Sequence, residues 1–404
     1  MPVERVPGVR NRWNTPLLLL DQGISSGSNF AASVLAVRAA DGAEFANAGI
    51  ALILVRLTIG VSRSWSCEAS VTYSVDLSNV PAEVGRSART AAVGSLVLAL
   101  ASLAVLAASG ALSWGTGLFV VIGGIAMSVG EAARATSILC RRMVPALWYD
   151  VIWTVAMVGL MIGLRPHSPE GVLLIWAGSS IVALLVFSRA LGHRPPPSGP
   201  SVRQRLGLAM EAMADRGGSQ VATLILATGL PATMSAGFTA ARNLLAPLNP
   251  IAIAVFNLAF PASRDAEAAA RGRLIVQNVV VISGGVALVC LGIQLAPRDV
   301  MVAVAGPTWD SAKEFVLPVS LSYAAMLYVQ AASSVARGAG LAREVRVSRL
   351  IAAGLGFFPS LAVFFLASPG VALVVVVSAI AFLGSLQFVV FTWNMVTSKG
   401  LMRV

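Results

Sequence analysis

Residues Asp21 to Ala40 read DQGISSGSNFAASVLAVRAA. The stretch is apolar enough to cross a membrane as a helix, yet Gln22, Ser26, Asn29 and Ser33 recur through it every three to four residues. At 3.6 residues per turn those side chains share one face. A polar stripe at lipid depth must meet something other than hydrocarbon, which cannot satisfy it. The segment also has an echo: GSNFAASVLA at 27–36 returns as GSQVATLILA at 218–227. The second copy again lies on a helix with a polar face, through Glu211, Asp215, Ser219 and Thr223. Two copies of one polar helix imply two halves that each begin with it.

Composition sets the surroundings of this helix. Of 404 residues 57% are hydrophobic and 12% charged, and the mean hydropathy is +0.81. Soluble domains carry about 25% charged residues, so this is an integral membrane protein. Its apolar runs are mostly long enough for helices through a core of about 30 Å and too long for barrel strands. The net charge of +11 is no sign of nucleic-acid binding, because the basic residues cluster between apolar runs, as the positive-inside rule expects. Cys67, Cys140 and Cys290 lack metal or disulfide spacing and read as packing residues. The first apolar run lacks a small-residue cleavage site after it and is expected to be retained as an anchor.

Hydropathy predicts twelve spans: Leu17–Ala40, Ala46–Trp65, Ala91–Ala108, Leu118–Leu139, Leu147–Leu164, Gly171–Ala190, Leu206–Thr228, Thr233–Phe260, Leu274–Leu295, Phe315–Val335, Leu350–Ala367 and Val371–Trp393. Charge checks the count. Alternate connections carry Arg5, Arg10 and Arg12; Arg63, Arg86 and Arg89; Arg141 and Arg142; Arg194, Arg203 and Arg205; Arg264, Arg271 and Arg273; Arg343, Arg346 and Arg349; then Lys399 and Arg403. The intervening ones hold Arg165, Arg298 and Lys313. A missed span would have mixed the two sets, so both termini are expected on the cytoplasmic side of the plasma (inner) membrane.

The sequence HRPPPSGPSVRQR at 193–205 cannot continue a helix through its prolines. It divides the chain into an N-terminal lobe, 1–192, a cytoplasmic linker, 193–205, and a C-terminal lobe, 206–404. Six spans per lobe make the lobes parallel repeats about an axis along the membrane normal. A fainter echo sets EAAR at 131–134 against SVAR at 334–337. The longer connections, 66–89 and 297–314, are expected to hold a cytoplasmic surface helix and an outer loop. Pro247, Pro250, Pro318 and Pro359 mark expected kinks or breaks.

Two arginines lie at mid-membrane, Arg56 in span two and Arg242 in span eight. A charge at that depth costs roughly 2.5–3.5 kcal/mol on insertion scales and faces a polar cavity or an ionic partner. They are either paired cations across a cavity, awaiting an anion, or helix ties neutralised by carboxylates such as Asp21 or Asp215. Gln22, Asn29, Gln220 and Asn243 are the neutral polar residues suited to the same cavity. Glu211 and Asp215, at i and i+4, would repel if both were ionised. With Asp21 they are the candidates to carry a coupling ion, or else they serve packing. Glu131 and Arg134 can pair on one helix face.

DQGISSGSNFAASVLAVRAA with EFANAG at 44–49, EAARATSILCRRMVPALWYD at 131–150, and AGFTAARNLLAPLNPIAIAVFNLAFP at 236–261 resemble the polysaccharide-biosynthesis exporters of the multidrug/oligosaccharidyl-lipid/polysaccharide superfamily. That group includes the O-antigen flippases, with drug/cation antiporters as more distant relatives. The resemblance implies an all-α, MATE-like carrier of twelve helices in two six-helix lobes around a V-shaped cavity. It would pass an isoprenoid-diphosphate-linked oligosaccharide, or a similar glycolipid, from the cytoplasmic to the outer leaflet. Cationic residues on spans one, two and eight would meet the diphosphate, and a glycan polymerase or glycosyltransferases would be its partners.

The runner-up is a proton- or sodium-coupled multidrug antiporter of the same fold, which mid-membrane cations disfavour for cationic drugs. A membrane enzyme is disfavoured too, because His167 and His193 sit alone in short loops and no connection is long enough for a catalytic domain. No catalytic residue, cofactor or metal is expected. A scaffold for envelope assembly is a further alternative.

Overall fold

The computed structural model describes residues 14–39, 42–70, 80–140, 142–188, 199–213, 230, 232–248, 255, 259, 262–263, 266–341, 343–350 and 370–398. Among these there are helices and turns and no strand. Numbered to follow the spans, the helices are α1 (Asn14–Arg38), α2 (Gly42–Arg63), α3 (Val80–Ala108), α4 (Trp114–Leu139), α5 (Met143–Leu164) and α6 (Pro169–Phe187). The second half holds α7 (Val202–Ala212), α8 (Ala232–Leu244), α9 (Ala268–Leu295), α10 (Trp309–Gly338), α11, described over 343–350, and α12 (Val371–Ser398). Eight of the described helices are long and apolar enough to cross a membrane. α1 is not one of the eight, because its stripe of serines and amides dilutes the leucines.

Local chemistry sets the ends. Ser113 caps α4 with Thr116 bonding back to it, Ser168 caps α6 with Pro169 in its first turn, and Gly110 and Gly340 take the left-handed turns that follow α3 and α10. Ser201 and Gln204 form a capping box that starts α7 at Val202, inside the stretch read as linker. Two other expectations are corrected. Residues 66–70 stay helical and α3 begins at Val80, so Glu83, Arg86 and Arg89 lie on the first turns of α3 instead of on a separate surface helix, while 71–79 lie outside the described residues. The ion pair between Glu83 and Arg86, one turn apart, lets the helix carry its charge there. The stretch 297–314, expected as an outer loop, is a short helix, Arg298–Ala305, a 3-10 turn, and the first turn of α10. Arg298 binds both oxygens of Asp310 there, at 3.1 and 2.7 Å. Pro247 lies in the 3-10 turn that follows α8, whereas α10 runs through Pro318.

The buried apolar residues form two large clusters, one within residues 32–187 and the other within 230–396. Each half therefore has its own core. α2, α4 and α10 are mostly enclosed, while α3, α5, α9 and α12 keep most of their surface outward. Val93, Val97, Val155, Ile162, Val280, Leu288 and Leu383 are exposed on those four, where lipid replaces water as the neighbour.

α8 and α10 touch at Gly237. A Cβ built there would stand 2.7 Å from Ser311 Cβ and 2.8 Å from its carbonyl carbon. The second contact is backbone, so the helices themselves would have to part. Gly237→Ala is expected to cost about 1–3 kcal/mol, read as a lowered melting temperature of the purified protein, although no functional group is touched. An unchanged melting temperature would mean that this packing is slack.

Candidate functional site

A chamber lies where the halves meet. It is lined by Ser33 and Ala36 of α1, Leu52 and Arg56 of α2, Leu173 of α6, and Thr239, Arg242 and Asn243 of α8, among others. Both predicted mid-membrane arginines face it, one from each half, together with the predicted Asn243. Both are only partly covered, although they lie deep in the helix bundle. No carboxylate is among the lining residues. Arg56 Nη2 donates to Ser33 Oγ at 3.4 Å, and that hydroxyl donates to Asn29 O at 2.9 Å. Tyr323 of α10 donates its hydroxyl to Arg242 O at 3.3 Å, which ties the Arg242 backbone to α10. Asn243 Nδ2 is buried with no hydrogen-bond acceptor among the described residues. The cavity measures about 30 Å³, room for about one water. α1 packs against α8 and against the short helix Arg298–Ala305.

The other predicted residues lie elsewhere. Gln22 is not among the lining residues; it is buried on α1 and donates to Asp21 Oδ2 at 2.9 Å. Asn29 likewise lines no part of the chamber. Half the stripe is satisfied within its own helix, since Ser26 and Ser33 bond back to carbonyls one turn earlier. Gln220 and Asp215 lie outside the described residues.

Asp21 belongs to a buried charge cluster. Arg134 Nη2 lies 3.4 Å from Asp21, its Nε 3.1 Å from Asp150 and its Nη1 3.2 Å from Glu131. Asp21 and Asp150 thus share one guanidinium, and each leaves its Oδ1 buried without a hydrogen-bond partner among the described residues. Glu131 continues to Arg63 at 2.9 Å and Arg63 to Glu68 at 3.7 Å. Glu211 is neutralised by Arg337, with Arg349 at 3.7 Å and Arg346 at 4.0 Å. Arg134 and Arg337, which share a place in the EAAR and SVAR echo, thus each hold a carboxylate on the first helix of their own half.

Asp150, Tyr323 and Arg337 were not among the predicted site residues. A signal existed for Asp150, a carboxyl inside the apolar span five, and for Arg337, in the SVAR echo; none existed for Tyr323, whose partner is 81 residues away.

No protein-family model and no curated protein matches the sequence. Solved structures do. An outward-facing multidrug resistance transporter of the MATE family, in the MOP superfamily, superposes with a TM-score of 0.65 at 13% identity, over 97% of this chain and 94% of that one. The chain has the MATE-type fold. The lipid II flippase MurJ in its inward closed conformation gives 0.63 at 12%, over 96% and 91%. A MOP superfamily transporter from Pyrococcus furiosus, described as having a binding pocket of reverse polarity, gives 0.61 at 12%, over 94% and 95%. In this MATE-type fold of twelve helices and two lobes, α1–α6 and α7–α12 are the lobes, and the chamber of Arg56 and Arg242 lies between them.

Proposed function

We propose that this chain is a plasma-membrane flippase that carries an anionic, lipid-linked oligosaccharide from the cytoplasmic to the outer leaflet by alternating access. The observation that carries the reading is the meeting of Arg56 and Arg242, from opposite lobes, in one chamber lined without a carboxylate. Two like charges held together at low dielectric repel each other, and a diphosphate relieves that cost by accepting from both guanidiniums. Asn243 Nδ2, a buried donor lacking an acceptor, suits the same oxygens. A cationic drug would meet repulsion. The chamber is too small for a diphosphate, so loading requires the lobes to part.

The fold neighbours bracket the proposal: one is described as a lipid II flippase and another as a multidrug resistance transporter. Asp21, buried beside Asp150 around Arg134, suits a coupling ion, in this reading or in the runner-up, a cation-coupled multidrug antiporter. Glu211, held by its arginines, is the weaker candidate. A glycan polymerase or glycosyltransferases would work on either side of the transport step. The test is a deletion strain. It is expected to accumulate lipid-linked glycan in the cytoplasmic leaflet with drug resistance unchanged; normal glycan export with lost drug resistance would establish the antiporter instead.

A further inference from the structure

The helical run that begins with α2 does not continue evenly to its cytoplasmic end. Ser64–Glu68 form one π-helical turn, after which residues 69–70 resume the α-helix. Single π turns are often found at functional sites. Ser64 Oγ donates to Glu68 Oε2 at 2.9 Å and Ser66 Oγ to Ser62 O at 2.7 Å, which steadies the turn.

The second lobe grips this turn twice. Arg205, in the first turn of α7, donates through Nη1 to Trp65 O at 3.2 Å. Arg337, in the last turn of α10, places Nη1 3.7 Å from Glu68 Oε2 and binds Glu211 of its own lobe through Nη2. Arg205, Glu68 and Glu211 are buried, and so is Arg337 in its side chain. Through these contacts the two lobes are joined at the end of α2 and α10 that carries the arginine-rich connections.

We propose that the π turn Ser64–Glu68 is a latch, which Arg205 and Arg337 hold shut and whose release opens the chamber to the cytoplasm. Its partners make release reversible. When the lobes part, Arg337 keeps Glu211, while Glu68 keeps Ser64 and Arg63, the latter at 3.7 Å. Neither charge is stranded, so the usual penalty for breaking a buried ion pair is reduced. What the opening serves rests on the flippase reading; the latch itself rests on the interlobe contacts of Arg205 and Arg337.

The test is an interlobe distance, measured by electron–electron double resonance on protein in lipid nanodiscs. Spin labels on unnatural amino acids replace Arg142 and Arg343, both exposed, so that the native cysteines stay untouched. Wild type is expected to show a dominant short distance. Glu68→Gln should raise the long-distance population about ten-fold. Glu131→Gln, which cuts a tie within the first lobe, should leave the distance unchanged. Should Glu68→Gln fail to fold, Glu68→Asp withdraws the charge by one methylene and should give a smaller shift in the same direction. A wild-type distribution in the folded Gln or Asp variant overturns the latch. No substrate enters the measurement, so that failure would leave the flippase reading standing.

Discussion

Arg242→Ala is expected to stop glycan export while the protein still inserts and folds, and Arg56→Ala to do the same. Both guanidiniums face the chamber, and truncating one partner of a desolvated, hydrogen-bonded charge pair typically costs about 2–5 kcal/mol. The lower figure alone weakens binding of an anion roughly 30-fold. Folding should suffer less, because removing either cation also relieves the repulsion between them. Arg242→Lys keeps the charge but loses the planar fork, and should retain a fraction of export. The variants are read by complementing the deletion strain, with membrane levels of each protein measured alongside. Full export by Arg242→Ala at wild-type level would remove the cationic chamber from the mechanism.

Arg134 should behave in the opposite way, costing stability first. It is 2% exposed and is the largest fully buried side chain. Asp21, Glu131 and Asp150 all lie within 3.4 Å of its nitrogens. Arg134→Gln leaves Asp21 and Asp150 without a cation, while Glu131 keeps Arg63, and breaking one buried pair already costs about 3–5 kcal/mol. The variant should be lost from the membrane or melt far below wild type. Removing the charges together should rescue it: Arg134→Gln combined with Asp21→Asn and Asp150→Asn replaces the cluster by neutral hydrogen-bonding groups. Melting temperatures of the single and triple variants decide the matter. A single variant as stable as wild type would mean that the cluster contributes nothing to the first lobe.

These arginines differ in how far sequence could see them. Arg56 and Arg242 were legible because a charge in the middle of an apolar span stands out against its neighbours. Arg134 was visible only in part. Its pairing with Glu131 follows from helical spacing, but its contacts with Asp21 and Asp150 join three helices, and no periodicity records that. The same limit hid Glu68 and Arg337, read only as loop and echo. It also made Gln22 look like a cavity residue, because a face of a helix can be read from spacing but not what the face meets. The surface helix expected over 66–89 failed for a related reason. Charges there suggested water, whereas the Glu83–Arg86 pair lets α3 begin early.

The most direct test of the central claim is the affinity of the purified protein, in nanodiscs, for farnesyl diphosphate compared with farnesol, measured by calorimetry. If the guanidiniums of the two lobes form one anion site, the diphosphate binds, the alcohol does not, and Arg56→Ala or Arg242→Ala weakens the diphosphate at least about 30-fold. Equal binding of diphosphate and alcohol, or diphosphate binding untouched by either substitution, would contradict it.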